Sequence, residues 1–116
     1  MKKLRNAFIG VDQGDVILFS DFEDDGPMWS SSGTRVSETR VSFSQEFRSP
    51  PAVQVGLSMW DIDTRANVRT DVSTELVSTT GFKIIFRTWG DTKVARVRAN
   101  WLAIGELKHA DDWDLY

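Results

Sequence analysis

Residues 79–105 read TTGFKIIFRTWGDTKVARVRANWLAIG. Two runs rich in β-branched and aromatic residues flank the pair Gly90-Asp91, a combination that favours a tight turn. The stretch therefore predicts a β-hairpin with Trp89 at its tip. In the second run Ala95, Val97, Ala99, Trp101 and Ala103 point one way, and Arg96, Arg98 and Asn100 the other. Such period-two patterning with one polar face is the mark of an antiparallel sheet. Trp101 lies among small apolar residues and reads as core. Trp89 does not. A large aromatic at a loop tip either folds back onto the sheet edge as a cap or stacks on a sugar ring, a base or a partner side chain.

The same alternation recurs upstream. Val53, Val55, Leu57 and Met59 share one face of a strand, with Gln54, Gly56 and Ser58 opposite. Val68, Thr70, Val72, Thr74 and Leu76 repeat the pattern against Arg69, Asp71, Ser73 and Glu75. Between these runs, Asp61 to Asn67 reads as a hairpin turn. Val41 and Phe43 share a face, and Val16 to Phe19 is a short apolar strand. Residues 21–33 read as a long loop, and Ser49-Pro50-Pro51 as an extended connection. Long helical periodicity is absent. These elements predict an all-β fold, a six-stranded antiparallel β-sandwich.

A length of 116 residues suits one domain. The expected organisation is an N-terminal segment over 1–10, the sandwich over 11–106 and an acidic tail over 107–116. With no cysteine there are no thiolate zinc sites and no cysteine nucleophile. The net charge of −3 argues against nucleic acid as a partner. The basic start, Met1-Lys2-Lys3, is followed by no apolar signal core, because Asp12, Gln13, Gly14 and Asp15 interrupt it. Neither a signal peptide nor membrane insertion is expected. The expected location is cytoplasmic, or outside the cell after lysis or as part of a particle.

No catalytic set emerges. The single histidine, His109, lies in the tail, so no Ser-His-Asp arrangement or histidine metal cluster can be assembled. Asp61 and Asp63 form a carboxylate pair of the kind used in glycoside hydrolysis, but turn chemistry alone accounts for them. The acidic run Asp21 to Gly26 lacks the alternating ligand spacing of a calcium loop. No metal and no cofactor are expected, and no enzyme. The polar strand faces carrying Arg69, Asp71 and Glu75, and Arg96 and Arg98, have two readings. One is a solvated surface with cross-strand ion pairs. The other is a subunit interface with interlocking charges.

Seven segments, taken together, resemble the H-type lectin family known from snail agglutinins and the C-terminal domains of discoidins. They are residues 41–43, 49–53, 60–61, 67–69, 80–83, 88–94 and 101–104, in family order and nearly gap-free. The resemblance implies a six-stranded antiparallel sandwich that assembles as a homotrimer. Galactose- or N-acetylgalactosamine-type glycans would bind in clefts between subunits.

Carried over residue by residue, the resemblance makes Arg69 the arginine that grips sugar hydroxyls and Trp89 the tryptophan that packs against the sugar. A planar guanidinium suits adjacent hydroxyls, and an indole covers the C–H face of a pyranose. Asp91 is a further candidate, with Ser31 and Ser32 in the loop where the family places an aspartate for an axial hydroxyl. Gly90 stands where snail-type members have a histidine, and Ala95 where they have a pocket-closing aromatic. These differences keep a second reading open: a structural trimerisation or adhesion module of a phage-like particle, with no sugar affinity, held through the acidic tail Asp111-Asp112-Trp113-Asp114.

Overall fold

A computed structural model of the chain describes residues 1–5 and 7–108. Six strands carry the fold: β1 (Ile9–Phe19), β2 (Arg35–Ser42), β3 (Ala52–Ile62), β4 (Thr70–Glu75), β5 (Gly81–Thr88) and β6 (Val94–Glu106). A single helical turn, α1 (Pro27–Ser30), lies between β1 and β2. The strands form two three-stranded antiparallel sheets, ordered β1-β6-β3 and β2-β5-β4. The all-β, six-stranded antiparallel architecture agrees with the alternation in the sequence.

The connections differ from the sequence reading. β5 and β6 lie in different sheets, so residues 89–93 form an arch across the sandwich and not a hairpin. The turn between β3 and β4 likewise crosses from one sheet to the other. Local turn chemistry is the same in both cases. The partner strand is chosen by which faces must be buried against each other. β1 begins at Ile9, well before the apolar run at Val16, because Gly10, Asp12 and Gly14 alternate inward against β6. β4 stops at Glu75, and Val68 and Leu76 are exposed. In β3 a register shift between Leu57 and Met59 sets Met59 opposite Arg98, away from the face carrying Leu57.

The core lies between the sheets in two adjoining clusters. One gathers Phe43, Phe47, Phe82, Ile84, Ala99 and Ala103, with Trp101 packed against it. Phe82 meets the Trp101 indole edge-on at 5.6 Å, and Phe43 meets Phe47 edge-on at 5.0 Å. The small residues Ala99 and Ala103 make room for these rings. The other cluster joins Phe86, Val94 and Val97 to Met28 of α1. Met28 plugs the open end of the sandwich, which explains why the long loop folds into a helical turn there. Asp21 secures that turn, its carboxylate accepting the Met28 N–H at 2.9 Å. The acidic run is thus a loop-closing device. Among the described residues no cluster of His, Cys, Asp or Glu is arranged to hold a metal ion.

The two outer faces contrast. On the β2-β5-β4 sheet, Lys83 meets Glu38 at 3.3 Å, and Arg87 reaches Asp71 at 3.5 Å and Glu75 at 3.3 Å. On the β1-β6-β3 sheet, Val11, Ile104 and Ala52 form one cross-strand row, and Gln13, Leu102 and Gln54 the next. Arg96 pairs with Asp61 at 3.4 Å and Arg98 with Ser58 at 3.0 Å. No helix among the described residues is long and apolar enough to cross a membrane. The acidic tail Asp111-Asp112-Trp113-Asp114 lies outside the described residues.

Candidate functional site

The arch between β5 and β6 places Trp89, Gly90 and Asp91 at one end of the sandwich, and Trp89 is 42 % exposed. Gly90 has φ +70°, a left-handed conformation that disfavours side chains. A Cβ there would also stand 3.2 Å from Arg69 Nη1. Glycine therefore both permits the turn and leaves room for the guanidinium beside it.

Arg69 immediately precedes β4. Its Nη1 meets Asp91 Oδ1 at 3.2 Å. Two fully buried hydroxyls fix its backbone: Thr88 Oγ1 donates to Arg69 O at 2.6 Å, and Thr92 Oγ1 accepts the Arg69 N–H at 3.1 Å. Thr92 Oγ1 also donates to Asn67 O. The segment 67–69 is thus stapled to both ends of the arch. The Arg69–Asp91 pair is partly exposed, so its net contribution to stability is small, about 0.2–1 kcal/mol. A ligand bearing hydroxyls can replace it at little cost, accepting from the guanidinium and donating to the carboxylate.

The serine loop joins the same end. Ser31 N–H donates to Pro27 O, closing α1, and Gly33 N–H donates to Gly90 O at 2.8 Å. Beneath them lies Arg35, only 7 % exposed. Its Nε donates to Gly33 O at 2.9 Å, Nη1 to Met28 O at 3.0 Å and Nη2 to Gly90 O at 3.3 Å. Burial pushes its guanidinium pKa below the ordinary value. The chain therefore brings Arg69, Gly90 and Asp91 together beside Trp89, and links the exposed Ser31 and Ser32 to them through Gly33 and Arg35. Sequence reasoning missed Arg35, Thr88 and Thr92. The arginine opens a strand of alternating polar residues and looks like a solvated position. Its inward register, on the face of Ser37 and Thr39, was the available signal.

The turn after β3 lies alongside. Asp63 N–H donates to Lys93 O at 3.0 Å, tying this turn to the arch. Arg65 folds back on Asp63, with Nη2 at 2.7 Å from Oδ2 and its backbone N–H at 3.0 Å from Oδ1. Those hydrogen bonds hold the Asp63 carboxyl down to about 2, against 3.8 ordinarily. Asp61, by contrast, belongs to the end of β3 and not to the turn. Ala95, buried under the backbone of Phe22, adds no aromatic wall to the site.

The fold is thus a two-sheet all-β sandwich that carries an exposed indole at one end, beside an arginine–aspartate pair. Residues 38–104 match the H-type lectin domain, and the chain belongs to that family. It is 51% identical over 109 residues to a Fuscovulum blasticum protein named ATP synthase subunits region ORF 7, covering 94% of this chain and 95% of that one. It is 32% identical over 76 residues to Discoidin-2 of Dictyostelium discoideum, covering 65% of this chain and 30% of that protein. The fold superposes on recombinant discoidin II of the same organism with a TM-score of 0.75 at 27% identity, covering 94% of this chain and 40% of that one. The chain thus spans well under half of the discoidin it resembles.

Proposed function

We propose that the protein is a non-catalytic, glycan-binding lectin that acts as a homotrimer. Galactose- or N-acetylgalactosamine-type sugars bind at clefts between subunits. The observation that carries this reading is the end of the sandwich where an exposed Trp89 adjoins the Arg69–Asp91 pair on a backbone fixed by buried threonines. The indole covers the apolar face of the sugar. Arg69 donates to its hydroxyls, Asp91 accepts from them, and Ser31 and Ser32 approach from the neighbouring loop. Gly90 keeps the tip open. A rigid site of this kind loses little conformational entropy on binding, which favours even a shallow contact.

The test is a glycan array and calorimetry on the purified protein, with its mass in solution measured alongside. Trp89→Ala is expected to abolish glycan binding while leaving assembly intact. Undiminished binding in that variant rejects the site.

One observation favours a second reading. At the positions where the resemblance puts a pocket-closing aromatic and an aspartate, this chain has the buried Ala95 and the exposed Ser31 and Ser32. A trimeric structural or adhesion module of a particle, lacking sugar affinity, would need neither. A clean array together with a protein partner recovered by pull-down would select it.

A further inference from the structure

A second concave feature stands beside the arch and outside the candidate site. It is a cavity of about 320 Å³ lined by Phe22, Trp29, the end of β3, the following turn and Ala95. Its chemistry is uneven in an informative way. On one side Phe22 and Trp29 meet edge to face, centroids 5.2 Å apart and planes at 80°. Phe22 is 61 % exposed, although it belongs to the loop that delivers Met28 to the core. On the other side stand the carboxylates of Asp61 and Asp63, each with a guanidinium partner: Arg96 at 3.4 Å and Arg65 at 2.7 Å.

Both walls are anchored to one short segment. Phe22 N–H donates to Ala95 O at 3.1 Å and Asp63 N–H to Lys93 O at 3.0 Å. The cavity is therefore preformed. Every charge lining it is balanced locally, so a formally charged ligand gains no net attraction. Arg65 uses Nε and Nη2 on Asp63, while its Nη1 has no partner among the described residues. Asp61 keeps a side chain 56% exposed. A neutral ligand with an apolar face and a ring of hydroxyls matches all of this. Its C–H face would lie on the aromatic pair, and its hydroxyls would donate to Asp61 and accept from Arg65.

We propose that the cavity bounded by Phe22, Trp29, Asp61, Asp63 and Arg65 is a second carbohydrate site on each subunit, taking a neutral pyranose independently of Trp89. The proposal draws on the lectin reading only for the class of ligand. The two sites carry different indoles, so they succeed or fail separately. With two sites per subunit, the chain engages glycans at more points than the tip alone provides, which raises avidity on a dense surface.

The experiment is an NMR titration of the nitrogen-15-labelled full chain and of its Trp89→Ala variant. The probes are methyl α-galactoside, methyl α-glucoside and methyl α-mannoside, each taken to about 50 mM, above the millimolar Kd expected of one shallow site. The readouts are the Trp29 indole N–H and the Arg65 Nε–H. Saturable shifts of both with at least one sugar are expected, equal in the two proteins. Phe22→Ala should abolish them, and Asp61→Asn should weaken binding severalfold by removing a charge-assisted acceptor. Phe22 is exposed, and its ring packs on Trp29 outside both core clusters, so the remaining amide signals should confirm that the variant is folded. The proposal is overturned if no sugar shifts those signals, if the shifts vanish with Trp89→Ala, or if Phe22→Ala leaves them unchanged. Loss of tip binding alone would appear at the Trp89 indole and leave the Trp29 signal as predicted.

Discussion

Arg35 has a structural role unlike that of the other arginines. Its three hydrogen bonds end on carbonyls of α1, the serine loop and the arch, so one buried cation holds three separate chain segments in register. Hydrogen bonds to a charged group contribute about 1.5–3 kcal/mol each, and carbonyls left buried without a donor carry a penalty of their own. Arg35→Met should therefore lower stability by about 3–5 kcal/mol, the size expected when a buried network is broken. Arg35→Lys should recover only part, because an ammonium cannot reach three divergent acceptors from one point. Denaturant melts of the three proteins measure both effects. Asp63 makes the pH-dependent counterpart. Its folded pKa of about 2 lies below the ordinary 3.8. The stability it contributes is present above the ordinary value and disappears as pH falls through about 2. Carbonyl NMR should find its titration midpoint near 2. In Arg65→Ala that midpoint should rise towards the ordinary value.

The strands were legible because residues alternate between an inward and an outward face along them, although in β1 and β2 some inward positions are polar or glycine and Val11, Ile17 and Val36 face out. What the residues could not specify was the pairing of neighbours. Gly90-Asp91 has the chemistry of a two-residue hairpin, and its positive φ suits an arch equally well. The choice follows from long-range contact between faces, to which a local window is blind. The same holds for the site. Trp89, Arg69 and Asp91 could be picked out by residue type and by resemblance. Thr88 and Thr92 read as ordinary strand and turn residues, since a buried hydroxyl declares itself only through the carbonyl it meets. Glycines offer an element-scale test. At Gly81 a Cβ would stand 2.2 Å from Val41 O, inside the β2–β5 pairing, and backbone cannot move aside cheaply. Gly81→Ala should lower stability by about 1–3 kcal/mol, at roughly 3–6 °C of Tm per kcal/mol for a chain of this length. Gly33 has φ +79° but open space around it. Gly33→Ala should lose only the backbone term of about 1–2 kcal/mol. Calorimetric melts of the two variants separate steric from conformational cost.

For the whole molecule, the contrast between the two outer faces bears on assembly. The β2-β5-β4 face pairs Lys83 with Glu38 and Arg87 with Asp71 and Glu75 within the chain, as in the solvated alternative for the polar strands. The β1-β6-β3 face carries Val11, 63 % exposed, and Ile17, 61 % exposed, with Gln13 and Asp15 between them on β1 lining an open groove of about 690 Å³ together with Gln54 and Asn100. Exposed aliphatics set among polar groups are what a subunit interface presents before its partner arrives. If the proposed trimer forms, it should form through this face. Val11→Glu and Ile17→Glu would each bury a carboxylate against a neighbouring copy, and sedimentation should then find single chains. Val36→Glu, on the opposite sheet and 50 % exposed, should leave the mass unchanged. Binding distinguishes two forms of the trimer. Should each tip site lie within one subunit, the dissociated variants would keep their affinity for a free monosaccharide and lose only the roughly 10²-fold avidity on a dense glycan surface. Should the neighbour complete the site, both would fall together. The second outcome is expected, because Trp89 is 42 % exposed and the Arg69 and Asp91 side chains are 37 % and 63 % exposed, surface that a neighbouring copy can cover together with the sugar.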